Sequence, residues 1–185
     1  MRKISGQSSP STQSSGCGAA DKHNSAFQHA LSVKTVKILI SSISGTLMMT
    51  ASSKLMSLWG QNFSEPQHLT SMLRRVDPLF SKQTDKTLAW IGHLGMGTVF
   101  STAYVQLYEH NTLKPSFLNS VLLGALSGVI GAAIWKATFK LHPAPTSINP
   151  ENFYIQRIPA HVVFAVFATL GYRAAREAAK DHRRK

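Results

Sequence analysis

The sequence has few of the groups that catalysis and metal binding require. Cys17 is its only cysteine, so no intrachain disulfide forms and the redox compartment stays undetermined. Aspartate and glutamate together number 8 against 20 lysines and arginines. We find no phosphate-binding glycine loop, nucleophile elbow, HExxH motif or close carboxylate pair. We therefore predict that the protein is not an enzyme, and we assign it no catalytic residue, metal or cofactor.

Apolar residues are concentrated after the first 35 residues, which are rich in serine, glycine, glutamine and asparagine. Such a segment cannot bury a core, so residues 1–35 are predicted to form a disordered polar tail. Its serine content and single acidic residue leave a mitochondrial transit peptide as an alternative. Residues 36–178 are predicted to form the folded domain, and residues 179–185 a basic C-terminal tail.

Four blocks of the domain are long enough to cross a bilayer, which takes about 20 apolar residues in a helix. They are residues 38–59, 88–108, 117–139 and 156–174. Each block contains serine, threonine, glycine or a charged residue, as helices that pack on one another do. The alternative is a soluble bundle with four buried helices, but none of the blocks has a polar face of helical period. We predict an all-α fold, a four-helix transmembrane bundle.

The long segment between the first two blocks, residues 60–87, has a helical pattern of its own. Leu69, Met72 and Val76 recur at helical spacing, with arginines between them. We predict a short amphipathic helix that lies at the membrane interface and is interrupted at Pro78.

The net charge of +12 raises nucleic acid as a partner, but basic residues collect at the two ends of the chain. With four spans, the side of the termini holds twelve lysines and arginines and the opposite side holds six. This bias predicts that both termini are cytoplasmic. We therefore predict a multi-pass protein of the plasma membrane, with the lipid bilayer and not nucleic acid as its partner.

One spacing occurs twice. Residues 93–104 read HLGMGTVFSTAY and residues 161–172 read HVVFAVFATLGY, each with histidine and tyrosine eleven residues apart. Eleven residues make about three helical turns, so each histidine shares a helix face with its tyrosine. The preceding spans match as well, with Ser44-Gly45 in one and Ser127-Gly128 in the other. These matches predict two parallel repeats of a helical hairpin, with the two histidines at one depth.

The same stretches carry a family resemblance. HVVFAVFATLGY, LLGALSGVIGAAIW and HLGMGTVFSTAY resemble segments of the YagU-like inner-membrane proteins, and the resemblance covers residues 36–178. That family is a group of small bacterial multi-span proteins described as a domain of unknown function. The resemblance implies a bacterial inner-membrane protein with four helices and no established activity. The long polar N-terminal tail departs from the family pattern.

Ionisable side chains inside a membrane are costly and often functional. The candidate polar site comprises His93, His161, Lys54 and Lys136. The histidines are candidates for proton or ion handling, for holding a haem between them, or for fixing helix packing through neutral hydrogen bonds. The lysines either extend to the outer interface or form a basic vestibule for an anion or acidic lipid head group.

Small residues and tyrosines complete the predicted roles. Helix packing is assigned to Gly45, Gly97, Gly124 and Gly128, of which the last two form a GxxxG motif. A homodimer face is the alternative use of this motif. Tyr104 and Tyr172 are predicted to anchor the bundle at the membrane interface.

Two functions follow from these residues. The first is a small transporter or proton-linked membrane protein, with its His/Lys site toward the outer leaflet. The second is a non-catalytic structural or partner-binding membrane protein whose polar residues only pack helices. A polar cavity that reaches both histidines favours the first, and a filled bundle favours the second.

Overall fold

The computed structural model describes the backbone of residues 17–76, 79–182 and 184, and side chains from residue 32 onward except that of Trp59. Over these residues all regular secondary structure is helical, which confirms the predicted class. The helices are α1 (Cys17–Met56), α2 (Glu65–Val76), α3 (Lys82–Glu109), α4 (Phe117–Leu141) and α5 (Pro150–His182), with a 3₁₀ turn at Ser57–Trp59.

The chain divides into two units, residues 1–34 and residues 35–185. In the first unit, residues 17–34 are helical, so helical structure extends into the segment that the sequence analysis assigned to a disordered tail. The rest of that predicted tail, residues 1–16, lies outside the described residues. All contacts given below lie within the second unit.

Serine hydroxyls define the starts of two helices. Ser81 accepts a hydrogen bond from the Thr84 N–H at 3.1 Å, and Ser116 accepts one from the Asn119 N–H at 3.3 Å. These bonds satisfy donors that have no partner within the first turn of α3 and of α4. The turn between these helices contains Asn111 with φ of 55°, a left-handed conformation that asparagine tolerates better than most residues. The predicted amphipathic helix is confirmed as α2.

The side-chain pairs set the helix directions. As residue numbers rise along α1, the numbers of their partners on α3 fall, so these two helices are antiparallel. Between α3 and α5 both partners ascend together, so these helices are parallel. The pairs are Lys37–Glu109, Ser42–Thr98 and Thr50–His93 for α1 and α3, and Phe100–His161, Tyr104–Phe164 and Tyr108–Thr169 for α3 and α5.

Glycines mark the closest helix crossings. A Cβ atom at Gly124 would lie 2.5 Å from the Val162 Cα, and one at Gly128 would lie 2.6 Å from the Ile158 Cα. The GxxxG motif of α4 is therefore occupied by α5 of the same chain, which leaves it no room for a second copy. A Cβ atom at Gly45 would lie 2.9 Å from Phe164, and one at Gly97 would clash with Thr46. All four glycines assigned to packing lie at such contacts.

Two of the described helices, α4 and α5, are long and apolar enough to cross a membrane. This is fewer than the four spans predicted, because serine, threonine, glycine, histidine and lysine lower the mean hydropathy of the apolar stretches of α1 and α3. Length and composition therefore support two spans, and the four-helix membrane bundle with internal repeats is not confirmed.

The distribution of side chains between interior and surface is unusual for a protein in water. Large apolar side chains face outward on all four long helices, including Ile43, Ile91, Leu126 and Ile155, which are 50%, 61%, 61% and 66% exposed. Small hydroxyl side chains share the interior with a core of aromatic, alanine, valine and methionine side chains. Among these hydroxyl side chains are Ser41, Ser42, Thr46, Ser53, Ser101, Ser120, Ser127 and Thr169, all at most 3% exposed.

The predicted common depth of the two histidines is wrong. Phe100 of α3 contacts His161 of the parallel helix α5. A residue of α5 therefore lies at the same depth as the α3 residue about 61 positions before it. His93 and His161 are 68 positions apart, and the seven extra residues displace them by about 10 Å along the bundle. The repeated His–Tyr spacing keeps each pair on one helix face, but it does not set the register between α3 and α5.

Candidate functional site

A buried carboxylate joins three helices at one end of the bundle. Glu65 is the first residue of α2 and is 6% exposed. Its Oε1 accepts a hydrogen bond from Nη1 of Arg157 on α5. Its Oε2 lies 3.0 Å from Nδ1 of His93 on α3. One carboxylate therefore holds α2 against both helices that carry the predicted histidines.

Arg157 is fully buried, and its guanidinium has several acceptors. Nη2 donates to the Phe63 carbonyl at 2.8 Å and to the side-chain oxygen of Gln156, and Nε donates to the Phe153 carbonyl at 3.3 Å. The guanidinium carbon also lies 4.2 Å from the centre of the Phe153 ring. With this coordination the buried positive charge is balanced and hydrogen-bonded, which burial of a charge requires.

The charge state of Glu65 follows from its neighbours. Burial alone would raise the pKa of this carboxyl, but the Arg157 guanidinium and the hydrogen bond from His93 hold the pKa of Glu65 well below its usual range. Glu65 is therefore ionised at neutral pH and can only accept hydrogen bonds. It follows that Nδ1 of His93 is the donor in the contact with Glu65.

The second ring nitrogen of His93 faces a hydroxyl. Nε2 lies 3.0 Å from Oγ1 of Thr50 on α1, and the same hydroxyl lies 2.8 Å from the Thr46 carbonyl. A hydroxyl has one hydrogen but can also accept. When His93 is neutral, Thr50 donates to Nε2. When His93 is charged, Nε2 donates to Thr50, whose own hydrogen turns to the Thr46 carbonyl. Rotation of one hydroxyl thus accommodates both protonation states.

His161 has one fixed proton and one open nitrogen. Nδ1 lies 2.9 Å from the Arg157 carbonyl, which can only accept, so Nδ1 carries a hydrogen. In the neutral ring Nε2 is then a proton acceptor. The ring packs against Gly131 of α4, where a Cβ atom would lie 2.7 Å from the imidazole. Gly131 thus leaves the space that the His161 ring fills.

Two adjoining cavities meet at these side chains. The first, of about 40 Å³, is lined by Glu65, His93 and His161 together with apolar residues of α1, α3, α4 and α5. At about 30 Å³ per water molecule, it has room for about one water. The second, of about 210 Å³, shares Glu65 and His93 and extends between α3 and α4 past Met96 and Ile134. Both histidines therefore reach one cavity, whose other lining residues are mostly apolar.

The structure separates the predicted lysines from the predicted histidines. Lys54 and Lys136 are exposed, and neither lines one of these cavities. In their place the site contains Glu65 and Arg157, neither of which was predicted as a site residue from the sequence. One feature of the sequence could have indicated Glu65. It precedes the apolar positions of α2, so packing of this amphipathic helix onto the bundle would bring Glu65 inward.

Tyr104 and Tyr172, which were assigned to interface anchoring, are buried in the core at 4% and 2% exposure. The Tyr104 hydroxyl lies 2.6 Å from that of Ser127 on α4. The Tyr172 hydroxyl donates to Glu109 at 2.8 Å, and Lys37 forms an ion pair with the same carboxylate at 2.9 Å. Both tyrosines thus join the internal polar network.

Within the described residues, no group of three or more histidine, cysteine or acidic side chains is placed to hold a metal ion. Comparison with known families, with curated proteins and with solved structures finds no match to this chain. The resemblance to the YagU-like proteins accordingly stays a prediction.

Proposed function

We propose that this is an integral membrane protein that binds and transfers protons at His93, with α1, α3, α4 and α5 crossing the bilayer. Support for the membrane comes from the apolar side chains that face outward on all four helices, while hydroxyl and ionisable side chains face inward. Lipid favours this arrangement, because polar groups there must find partners within the protein. The lower hydropathy of α1 and α3 reflects their inward-facing serines, threonines and histidine.

The observation that carries the proton function is the pair of contacts made by His93. A permanently ionised Glu65 holds Nδ1, and the Thr50 hydroxyl serves Nε2 as donor or acceptor. Here each protonation state of the ring finds a hydrogen-bond partner at both nitrogens. Imidazole titrates near neutral pH, which makes such a site useful for proton transfer.

His161 supplies a second acceptor at the same cavity. The groups that face the cavity are Glu65 from α2, His93 from α3 and His161 from α5, and Thr50 of α1 contacts His93. Waters in the cavity would connect His93 with Nε2 of His161. Protons would then reach the interior by two imidazoles that lie about 10 Å apart along the membrane normal.

The proposed placement keeps the orientation given by the basic residues. Both termini lie in the cytoplasm, and α2 with Glu65 lies at the outer side of a bacterial plasma membrane. The two hairpins, α1 with α3 and α4 with α5, are the proposed repeats, which agrees with the parallel course of α3 and α5. Lys54 and Lys136 extend to the outer interface.

The test is proton flux into liposomes that contain the purified protein and a pH-sensitive dye, driven by a potassium diffusion potential. We expect His93→Gln to abolish the flux, because glutamine hydrogen-bonds but does not titrate near neutral pH. The matched control is His110→Gln, at an exposed histidine after α3. Flux that persists in His93→Gln liposomes at the level of the control would overturn the proposal.

The competing function is a structural membrane protein, and the coordination of Arg157 favours it. The hydrogen bonds of this guanidinium tie α2 and its preceding loop to α5, as a packing element would. In that case His93→Gln would leave thermal stability nearly unchanged. His93→Leu would lower it by roughly 1–3 kcal/mol, because Glu65 and Thr50 would lose a partner.

A further inference from the structure

The interior of the bundle contains hydroxyl groups without partners. Ser41, Thr46 and Ser101 are at most 1% exposed, and their hydroxyl oxygens have no hydrogen-bond partner among the described residues. Buried polar groups are nearly always hydrogen-bonded, so three such hydroxyls in one region call for an explanation. A water between them would provide the missing bonds.

These hydroxyls lie between two hydrogen-bonded networks. Thr46 faces Gly97 of α3, one turn from Thr50 and thus next to the His93 site. Ser101 is one turn further along α3 than Gly97. Because α1 runs antiparallel to α3 and Ser42 pairs with Thr98, Ser41 lies further in the same direction, at about the depth of Ser101. The three hydroxyls therefore continue from the His93 site toward the opposite end of the bundle.

Beyond Ser101 the hydroxyls form small hydrogen-bonded groups at successive depths. The hydroxyls of Tyr104 and Ser127 lie 2.6 Å apart. One turn further, Thr169 lies 2.8 Å from the Tyr108 hydroxyl and 2.9 Å from that of Ser120. These bonds join α3, α4 and α5 in the centre of the bundle.

The last members reach an acidic group at the far end. The Tyr108 ring packs on the Tyr172 ring with centres 5.1 Å apart, and the Tyr172 hydroxyl donates to Glu109. Glu109 is at the end of α3 and its side chain is 32% exposed, so this carboxylate is accessible to water. A polar series thus begins at Glu65 and ends at Glu109.

We infer that this series of hydroxyls is a proton pathway across the bundle, from the His93 site to Glu109. The inference rests on the proposed function, since it needs His93 as the site of proton entry. Each hydroxyl passes a proton by donating its own hydrogen onward while it accepts another, so no atom is consumed and no redox partner is needed. Waters complete the series wherever the side chains do not bond to one another. These places are Ser41, Thr46 and Ser101, the step from Ser127 to Ser120, and the step from Tyr108 to Tyr172.

The experiment is the liposome flux assay with Tyr104→Phe and, separately, Ser101→Ala. Both substitutions remove a hydroxyl while nearly preserving side-chain volume. We expect each to reduce proton flux about tenfold or more, as loss of a positioned proton-transfer group does. The matched controls are Thr102→Ala, where the neighbouring hydroxyl bonds to the Thr98 carbonyl of its own helix, and Tyr154→Phe, outside the series.

Two outcomes separate the pathway from the proposed function. If His93→Gln abolishes flux while Tyr104→Phe and Ser101→Ala conduct like their controls, the pathway is wrong and the function stands. If His93→Gln conducts normally, the proposed function itself fails. Melting temperatures of all variants are measured in detergent, and a fall of flux in Tyr104→Phe at unchanged melting temperature supports the pathway. If Tyr104→Phe does not fold, the proton flux of Ser101→Ala relative to Thr102→Ala decides whether the pathway exists.

Discussion

His93 and His161 face one cavity from two parallel helices but lie about two turns apart along the bundle. The stagger places His93 beside the Glu65 carboxylate, 3.0 Å away, and leaves His161 deeper, against Gly131. His93 is thus connected to the Glu65–Arg157 ion pair at the end of the bundle, and His161 lies closer to the centre of the bundle. The two histidines are therefore about 10 Å apart along the bundle axis, whereas two histidines at one level would have no such separation.

The ion pair between Glu65 and Arg157 gives the first prediction. Glu65→Gln leaves the Arg157 guanidinium buried without a counter-charge, and breaking a buried pair in this way costs about 3–5 kcal/mol. We expect a correspondingly large fall in stability in detergent unfolding. Glu151→Gln, at an exposed carboxylate of α5, should change stability by about 0.5 kcal/mol or less. Equal stability of the two variants would contradict a structural role for the pair.

The second prediction concerns His68 of α2. Burial lowers the pKa of His68, although its hydrogen bond to the Asn62 carbonyl, at 2.7 Å, acts in the opposite direction. The folded state therefore favours the neutral ring, and the unfolded state binds a proton first as the pH falls. Stability is full above the ordinary histidine pKa and is lost as the pH falls through the lower, folded-state value.

The measurement is the melting temperature in detergent at about pH 7.5 and about pH 5. His68→Gln should lose less stability between these values than the unchanged protein, since glutamine keeps a donor for Asn62 but does not titrate. Glu65 does not contribute in this range, because its pKa lies well below it. The exposed-site control His110→Gln should follow the unchanged protein. A pH dependence unaffected by His68→Gln would assign the loss to another group.

The third prediction compares two glycines. Gly124→Ala places a methyl group 2.5 Å from the Val162 Cα, where only movement of the backbone can relieve the clash. We expect it to destabilise the protein by about 1–3 kcal/mol. A Cβ atom at Gly95 of α3 would meet no neighbouring atom within 4 Å, so Gly95→Ala should be neutral or slightly stabilising. Thermal unfolding of both variants measures the difference, and equal effects would refute the close α4–α5 crossing.

The fourth prediction concerns topology. Reporter fusions after Lys185 and within the loop at residues 142–149 should report opposite sides of the membrane, because α5 lies between them. A third fusion in the segment around residues 60–64 should report the same side as the 142–149 loop. If that third fusion reports the side of Lys185, α1 does not cross the bilayer and the four-helix crossing is wrong.

The sequence alone determined the helical class, the presence of α2, and the places where glycine allows close crossing. Each depends on local information, since apolar periodicity, chain length and side-chain size act within a few turns of one helix. The same information pointed to His93 and His161, because a histidine in an apolar stretch is visible without knowledge of its neighbours.

The tertiary structure alone decided which groups meet. Glu65 looked like an ordinary helix-end carboxylate until the packing of α2 brought it to Arg157, 92 positions later. The register of α3 on α5 separated the histidines that the repeated spacing had placed at one depth. It also turned Tyr104 and Tyr172 inward. Helix register and long-range pairing depend on how whole faces fit together, and no single stretch of sequence contains that information.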